Sequence, residues 1–184
     1  MTQTAELDME LFADVFSGWR MKYVGIDPSL TSTGVVMLDD DAEIIDSRVI
    51  KSRQKDAARL IEIENALWEL LPNYVALEGY AMGSRYGREA AGELGGVIRR
   101  ALYLQGSTYV VVPPASLKKF AAKGNAKKDE VRLEVYKRWG VEFETNDEVD
   151  AYVLARIAYA KFHGDDLIKR QQEVIDKLEV YRGV

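Results

Sequence analysis

The chain has no cysteine among its 184 residues. Disulfides, thiolate zinc sites and cysteine nucleophiles are therefore excluded. It has one histidine, His163, which excludes a metal site built from several imidazoles. A metal held here has to be a hard ion bound through oxygen, such as Mg²⁺ or Mn²⁺. There is no apolar run of the roughly 18 residues that a bilayer span requires. There is also no basic N-terminal segment leading into an apolar stretch. A cytoplasmic protein with no membrane partner is expected. Internal repeats and low-complexity linkers are absent too, so nothing points to a solenoid or to a string of domains.

What is present is ordinary globular composition, 47% hydrophobic and 30% charged, at a length that suits one domain with one good core. The formal net charge of -5 argues mildly against a nucleic-acid partner, but its distribution matters more than its sum. Ser116 to Arg138 holds eight Lys or Arg against three acids, a local net of +5, which leaves -10 for the rest of the chain. A solvated helix face is the ordinary explanation of such a cluster. Its coexistence with a set of acids is what favours nucleic acid.

The hydrophobic pattern predicts a short acidic helix over 1–20, on Leu7, Leu11, Phe12 and Val15. A strand over 22–26 follows, leading into Asp27. The polar turn Pro28-Ser29-Leu30-Thr31-Ser32-Thr33-Gly34 precedes strands over 35–38 and 44–50. A helix over 55–71 stops at Pro72. Tyr74–Leu77 is a strand ending at Glu78-Gly79, and a long helix over 85–105 carries Gly92, Gly95 and Gly96. Glycine costs about 1 kcal/mol against alanine within a helix, so three need a packing reason. Thr108–Val112 is a strand with both faces covered. The basic segment is helical from about Ala115, broken at Gly124-Asn125 and helical again to Trp139. A core helix runs from Asn146 to Phe162. The order βββαβαβαα fits an α/β domain, a mixed five-stranded sheet flanked by helices. The divisions expected are a helical appendage over 1–20, the main domain over 21–164 and a helical tail over 165–184.

Four acids stand out by position. Asp27 and Glu78 close strands, where Asp27 also suits a plain turn. Glu78, at the mouth of a buried strand, requires a cation, a partner or water, because burying a charge unpaired costs several kcal/mol. Asp147 and Asp150 lie at i and i+3, on one face of the first turns of a helix. Asn146 and Asp147 also suit N-capping, but Asp150 begins the apolar body of the helix. Carboxylates this close repel, and a divalent cation is the simplest relief. Such a set suits phosphodiester hydrolysis with two Mg²⁺ about 4 Å apart. A phosphatase or sugar kinase would use a similar layout, and an acidic helix end on an inert domain stays open.

Four stretches in order resemble one family: Gly25-Ile26-Asp27-Pro28-Ser29-Leu30-Thr31-Ser32-Thr33-Gly34, then Ala76-Leu77-Glu78, then Pro114 to Lys118 with Gly124 to Lys128, then Asp147-Glu148-Val149-Asp150-Ala151. Together they resemble the RuvC-type Holliday-junction resolvases of the RNase H-like superfamily, over about residues 21–162. The resemblance implies an RNase H-like fold and makes Asp27, Glu78, Asp147 and Asp150 the catalytic, metal-binding acids. Two Mg²⁺ per site are implied, with Mn²⁺ able to substitute. Lys118 and Lys128 become phosphate contacts, and Lys119, Lys123, Lys127 and Arg132 extend that surface. The implied enzyme is a homodimer that cuts four-way DNA junctions by paired, symmetric hydrolysis leaving 5′-phosphates. Its long helix over 85–105 would form much of the dimer interface. The Leu-Thr-Ser-Thr-Gly version of the first motif is most similar to phage-encoded members, which would place the protein in a host cytoplasm.

The chain also departs from the family. Bacterial members carry an aromatic residue three positions after the catalytic glutamate, where this chain has Ala81; Tyr80, Met82 or Tyr86 are the available substitutes. Sequence preference for cleavage does not transfer. Broader cutting of forks, flaps and three-way junctions is the nearest alternative activity. A non-catalytic nucleic-acid-binding protein that keeps the fold is the alternative of another class, and an RNase H-like nuclease of ribosomal RNA precursors is the alternative enzyme.

Overall fold

Side chains alternate across a strand, and in this chain the alternation sorts apolar residues onto two faces of a single sheet. The computed structural model describes residues 22–70, 74–79 and 88–184; the helix expected over 1–20, the aromatic candidates near Ala81 and the start of the long helix lie outside them. Strands β1 (Tyr23–Asp27), β2 (Thr33–Leu38), β3 (Ile44–Ile50), β4 (Tyr74–Glu78), β5 (Thr108–Val112) and β6 (Val180–Arg182) stand in the order β3-β2-β1-β4-β5-β6. β1, β4 and β5 are parallel neighbours, while β2, β3 and β6 join antiparallel.

Val24, Ile26, Val75 and Leu77 face the layer made by α1 (Asp56–Trp68) and α2 (Arg88–Leu104), meeting Ile63, Leu67, Leu94 and Ile98. Tyr23, Val36, Ala76 and Val110 face the opposite layer. That layer contains α3 (Pro114–Ala121), α4 (Lys128–Trp139), α5 (Asn146–Phe162) and α6 (Lys169–Ile175). The sheet is therefore mixed and flanked by helices, as the element order predicts.

Two expectations are corrected. The sheet has six strands rather than five, and the segment after 164 is not wholly helical. Val180–Arg182 pairs with β5, and the Tyr181 ring stacks on Tyr109 at 5.2 Å. Three exposed residues leave too weak a pattern to read as a strand; β6 forms because β5 offers it an open edge.

α5 is apolar on every side, and all ten residues from Ala151 to Ala160 are buried. A helix of this kind has to be covered all round: the sheet lies under it, with α3, α4 and α6 beside it. Its one buried cation, Arg156, is paired with Asp165 at 2.7 Å and lies against the rings of Trp139 and Tyr159. α5 comes unusually close to the sheet because two positions beneath it lack a side chain. A Cβ on Gly25 would stand 1.9 Å from the Ala151 carbonyl oxygen, and one on Gly34 would stand 2.2 Å from that of Asp147. Both obstacles are backbone and cannot rotate away.

Gly25→Ala should accordingly destabilise the fold by more than about 4 kcal/mol, the range reached by severe overpacking and buried strain. Urea unfolding measures this, and a loss under about 1 kcal/mol would contradict the close seating of α5.

Candidate metal centre

Parallel pairing of β1 and β4 sets Ile26 opposite Leu77, so the next residues, Asp27 and Glu78, leave the sheet side by side. Both follow the alternation of Gly25 and Ala76 and stand on the α5 side. Gly34 is the cross-strand partner of Asp27 and lies against the backbone of Asp147. The row Gly34, Asp27, Glu78 across three strands thus meets the first turns of α5, which carry Asp147 and Asp150. All four sequence-predicted acids gather at one end of the sheet, each partly buried.

Their electrostatics show the crowding. Asp27 and Glu78 act strongly on each other. Burial pushes Asp27 far above the usual carboxylate range, the neighbouring Glu78 and the charge of Asp147 add to the rise, and Lys128 opposes it. Glu78 is also raised, chiefly by burial, with the charge of Asp150 adding and Asp27, Lys118 and Lys128 acting the other way. Asp150 is pushed up to about 6 by burial, with Asp27 and Asp147 adding and Lys128 and Lys118 subtracting. Burial and like charge both disfavour the ionised forms.

Asp147 has a different neighbourhood from the one its position suggests. The α5 N-cap is Thr145, whose side chain accepts from the Glu148 backbone N–H at 3.2 Å, while Glu148 Oε2 accepts from the Thr145 N–H at 3.1 Å. This reciprocal box satisfies the helix end, so capping, the ordinary explanation for Asp147, is done by other residues. Asp147 Oδ2 instead accepts a hydrogen bond from Ser32 Oγ at 2.5 Å. Ser32 is a site neighbour that the sequence reading left inside a polar turn. A hydroxyl opposite an acid 115 residues away leaves no periodic signal.

Among the described residues, no group of three or more His, Asp or Glu side chains stands in metal-ligating geometry. Asp147 is engaged by Ser32. The donor set still fits a hard divalent cation, being all oxygen and partly buried.

The basic residues separate into groups. Lys118, in the last turn of α3, and Lys128, first in α4, are the cations that act on the acids. Lys119 is paired with Glu173 at 2.6 Å, and Lys123 with Glu130 at 3.3 Å. Lys127 is the N-cap residue of α4, its backbone N–H bonded to Glu130. Arg132 lines a surface groove with Leu133, Tyr136 and Phe143. His163 ends α5 and stacks on Tyr159 at 4.5 Å.

With this geometry in place, the chain superposes on a solved structure titled T. thermophilus RuvC in complex with Holliday junction substrate. The TM-score is 0.65 and the identity 25%, over 78% of this chain and 95% of that one. The chain shares the RNase H-like fold of RuvC. A second Thermus thermophilus RuvC structure matches with a TM-score of 0.62 and 25% identity, over 78% of this chain and 98% of that one. No protein-family profile matches the chain, and no curated protein does so on sequence. No helix among the described residues is long and apolar enough to cross a membrane.

The raised carboxyls carry a pH dependence with a definite sign. Such groups bind protons more tightly folded than unfolded, so they favour the fold fully only below the unfolded value near 3.8. That contribution is lost as pH rises through about 6 for Asp150 and about 8 for Asp27. In chelator, Tm should fall by about 5–10 °C between pH 5 and pH 8, and Asp150→Asn should flatten part of the fall. A thermal melt series checks this; a Tm that rises over the interval would contradict it.

Proposed function

We propose that the chain is a divalent-metal-dependent DNA endonuclease that resolves four-way junctions as a homodimer, each subunit cutting one of two symmetric strands. The observation that carries the reading is the gathering of Asp27, Glu78, Asp147 and Asp150 at one sheet end, with Lys118 and Lys128 beside them. The likeness to a RuvC solved on a Holliday junction supports the choice of substrate. Mg²⁺, two ions per site with Mn²⁺ as a substitute, is the cofactor proposed.

In this reading Asp27, Glu78, Asp147 and Asp150 hold the ions through carboxylate oxygens. When bound, the ions supply Lewis-acid activation of a water and neutralise charge at the leaving 3′-oxygen, giving 5′-phosphate ends. Lys118 and Lys128 steer a phosphate backbone to the acids and hold it there, without reading its sequence. Without their positive field, an acid cluster on a protein of net charge -5 would repel the substrate. Lys119, Lys123, Lys127 and Arg132 extend the surface; the exposed ion pairs of Lys119 and Lys123 are of the kind worth under about 1 kcal/mol, which a phosphate displaces readily.

The dimer reading draws on α2. Among the described residues nothing stands within 4 Å of a Cβ on the exposed Gly96, which leaves room there for a second copy to approach closely.

Asp27→Asn and Asp150→Asn should abolish Mg²⁺-dependent cleavage of a four-way junction while leaving its binding in Ca²⁺ nearly unchanged. Cleavage and band-shift assays on the same preparations test this, and equal loss of binding and folding would defeat the catalytic assignment. Lys118→Ala and Lys128→Ala should each lower the slope of log affinity against log salt by about 1. An unchanged slope in fluorescence-anisotropy titrations would defeat direct phosphate contact.

A further inference from the structure

We propose that Ser32 is a positioning residue for the metal centre: its hydroxyl fixes the Asp147 carboxylate so that one oxygen stays engaged and the other is presented to the cation. The proposal rests on the metal-dependent reading above and assigns a role to a residue outside the acid quartet.

Three observations converge on it. The first is the bond itself, Ser32 Oγ to Asp147 Oδ2 at 2.5 Å, at the short end of hydroxyl–carboxylate bonds. The second is the rigidity of the turn that delivers the hydroxyl. Thr33, fully buried, donates from Oγ1 to the Ser29 carbonyl at 2.7 Å and accepts from the Ser29 N–H at 3.1 Å. Ser29 Oγ in turn accepts from the N–H groups of Thr31 and Ser32 at 3.3 Å each. The turn is thus closed on both sides of Ser32 by the side chains of Ser29 and Thr33. The third is the missing side chain at Gly34, which lets the Asp147 backbone come down onto the strand start beside Ser32.

Asp147 needs such a partner. Thr145 and Glu148 cap α5 between themselves, so the helix end does not restrain Asp147. Its neighbours across the site are the carboxyls it repels, Asp27 and Asp150. Repulsion alone would turn it outward to solvent. A hydroxyl donor on a closed turn holds it in, and partners of this kind, one bond behind a ligand, typically govern metal affinity by 10-fold or more.

The test is Mn²⁺ titration calorimetry on the full chain, metal-free at the start, with wild type, Ser32→Ala, Ser32→Thr and Ser32→Val. Threonine and valine have the same shape and differ in the hydroxyl, so their comparison stands even if alanine does not fold. Ser32→Ala and Ser32→Val should bind Mn²⁺ about tenfold more weakly, and Ser32→Thr should recover most of the loss. In cleavage assays the half-saturating Mg²⁺ concentration should rise in parallel, with the rate at saturating Mg²⁺ changed much less. Equal Mn²⁺ affinity in Ser32→Thr and Ser32→Val overturns the role of Ser32 while leaving the metal site standing. No Mn²⁺ binding by wild type overturns both.

Discussion

Everything distinctive in this structure depends on four carboxylates being held closer together than their charges favour. Parallel pairing of β1 and β4 sets Asp27 beside Glu78, and the seating of α5 on Gly25 and Gly34 brings Asp147 and Asp150 down onto them. The hydrophobic contacts of α5 supply the driving force. Ten consecutive buried residues contribute far more than the acids cost, since a single fully buried Leu or Ile is worth about 1.5–3 kcal/mol. The core is thus what compresses the site. The compression raises the Asp27 and Glu78 carboxyls, and Lys118 and Lys128, within electrostatic reach, ease it. A divalent cation would ease it further, and this ties the electrostatics to the proposed chemistry.

Much of this was legible in the sequence. Short apolar runs bounded by turn residues marked the central strands, and the acids were recognisable because charges at the ends of apolar strands need an explanation. The basic segment stood out by local charge alone. Its division did not: Lys118 and Lys128 reach the acids while Lys119 and Lys123 pair with Glu173 and Glu130, a difference of helix rotation and turn geometry. Asp147 was ambiguous because any acid near a helix start resembles a cap. Three-dimensional geometry assigns the cap to Thr145 and Glu148. β6 escaped notice because its three exposed residues form a strand only where the edge of β5 is open. Ser32 escaped because nothing in a serine within a polar turn predicts a partner 115 residues away.

The glycines of the chain divide along the same line. Gly25 and Gly34 are required by what lies over them, while among the described residues nothing stands within 4 Å of a Cβ on the exposed Gly96. A residue that weakens a helix by about 1 kcal/mol at such a place suits the proposed approach of a second copy. A two-fold assembly in turn matches a substrate with two equivalent strands. Fold, acids, lysines and glycines thus point the same way.

The central claim is that the acid cluster is a divalent-metal site. Anomalous diffraction from crystals of the protein grown with Mn²⁺ tests it most directly. Anomalous peaks are expected between Asp27, Glu78, Asp147 and Asp150, with carboxylate oxygens in contact with the metal. A map with no peak there at saturating Mn²⁺ would contradict it.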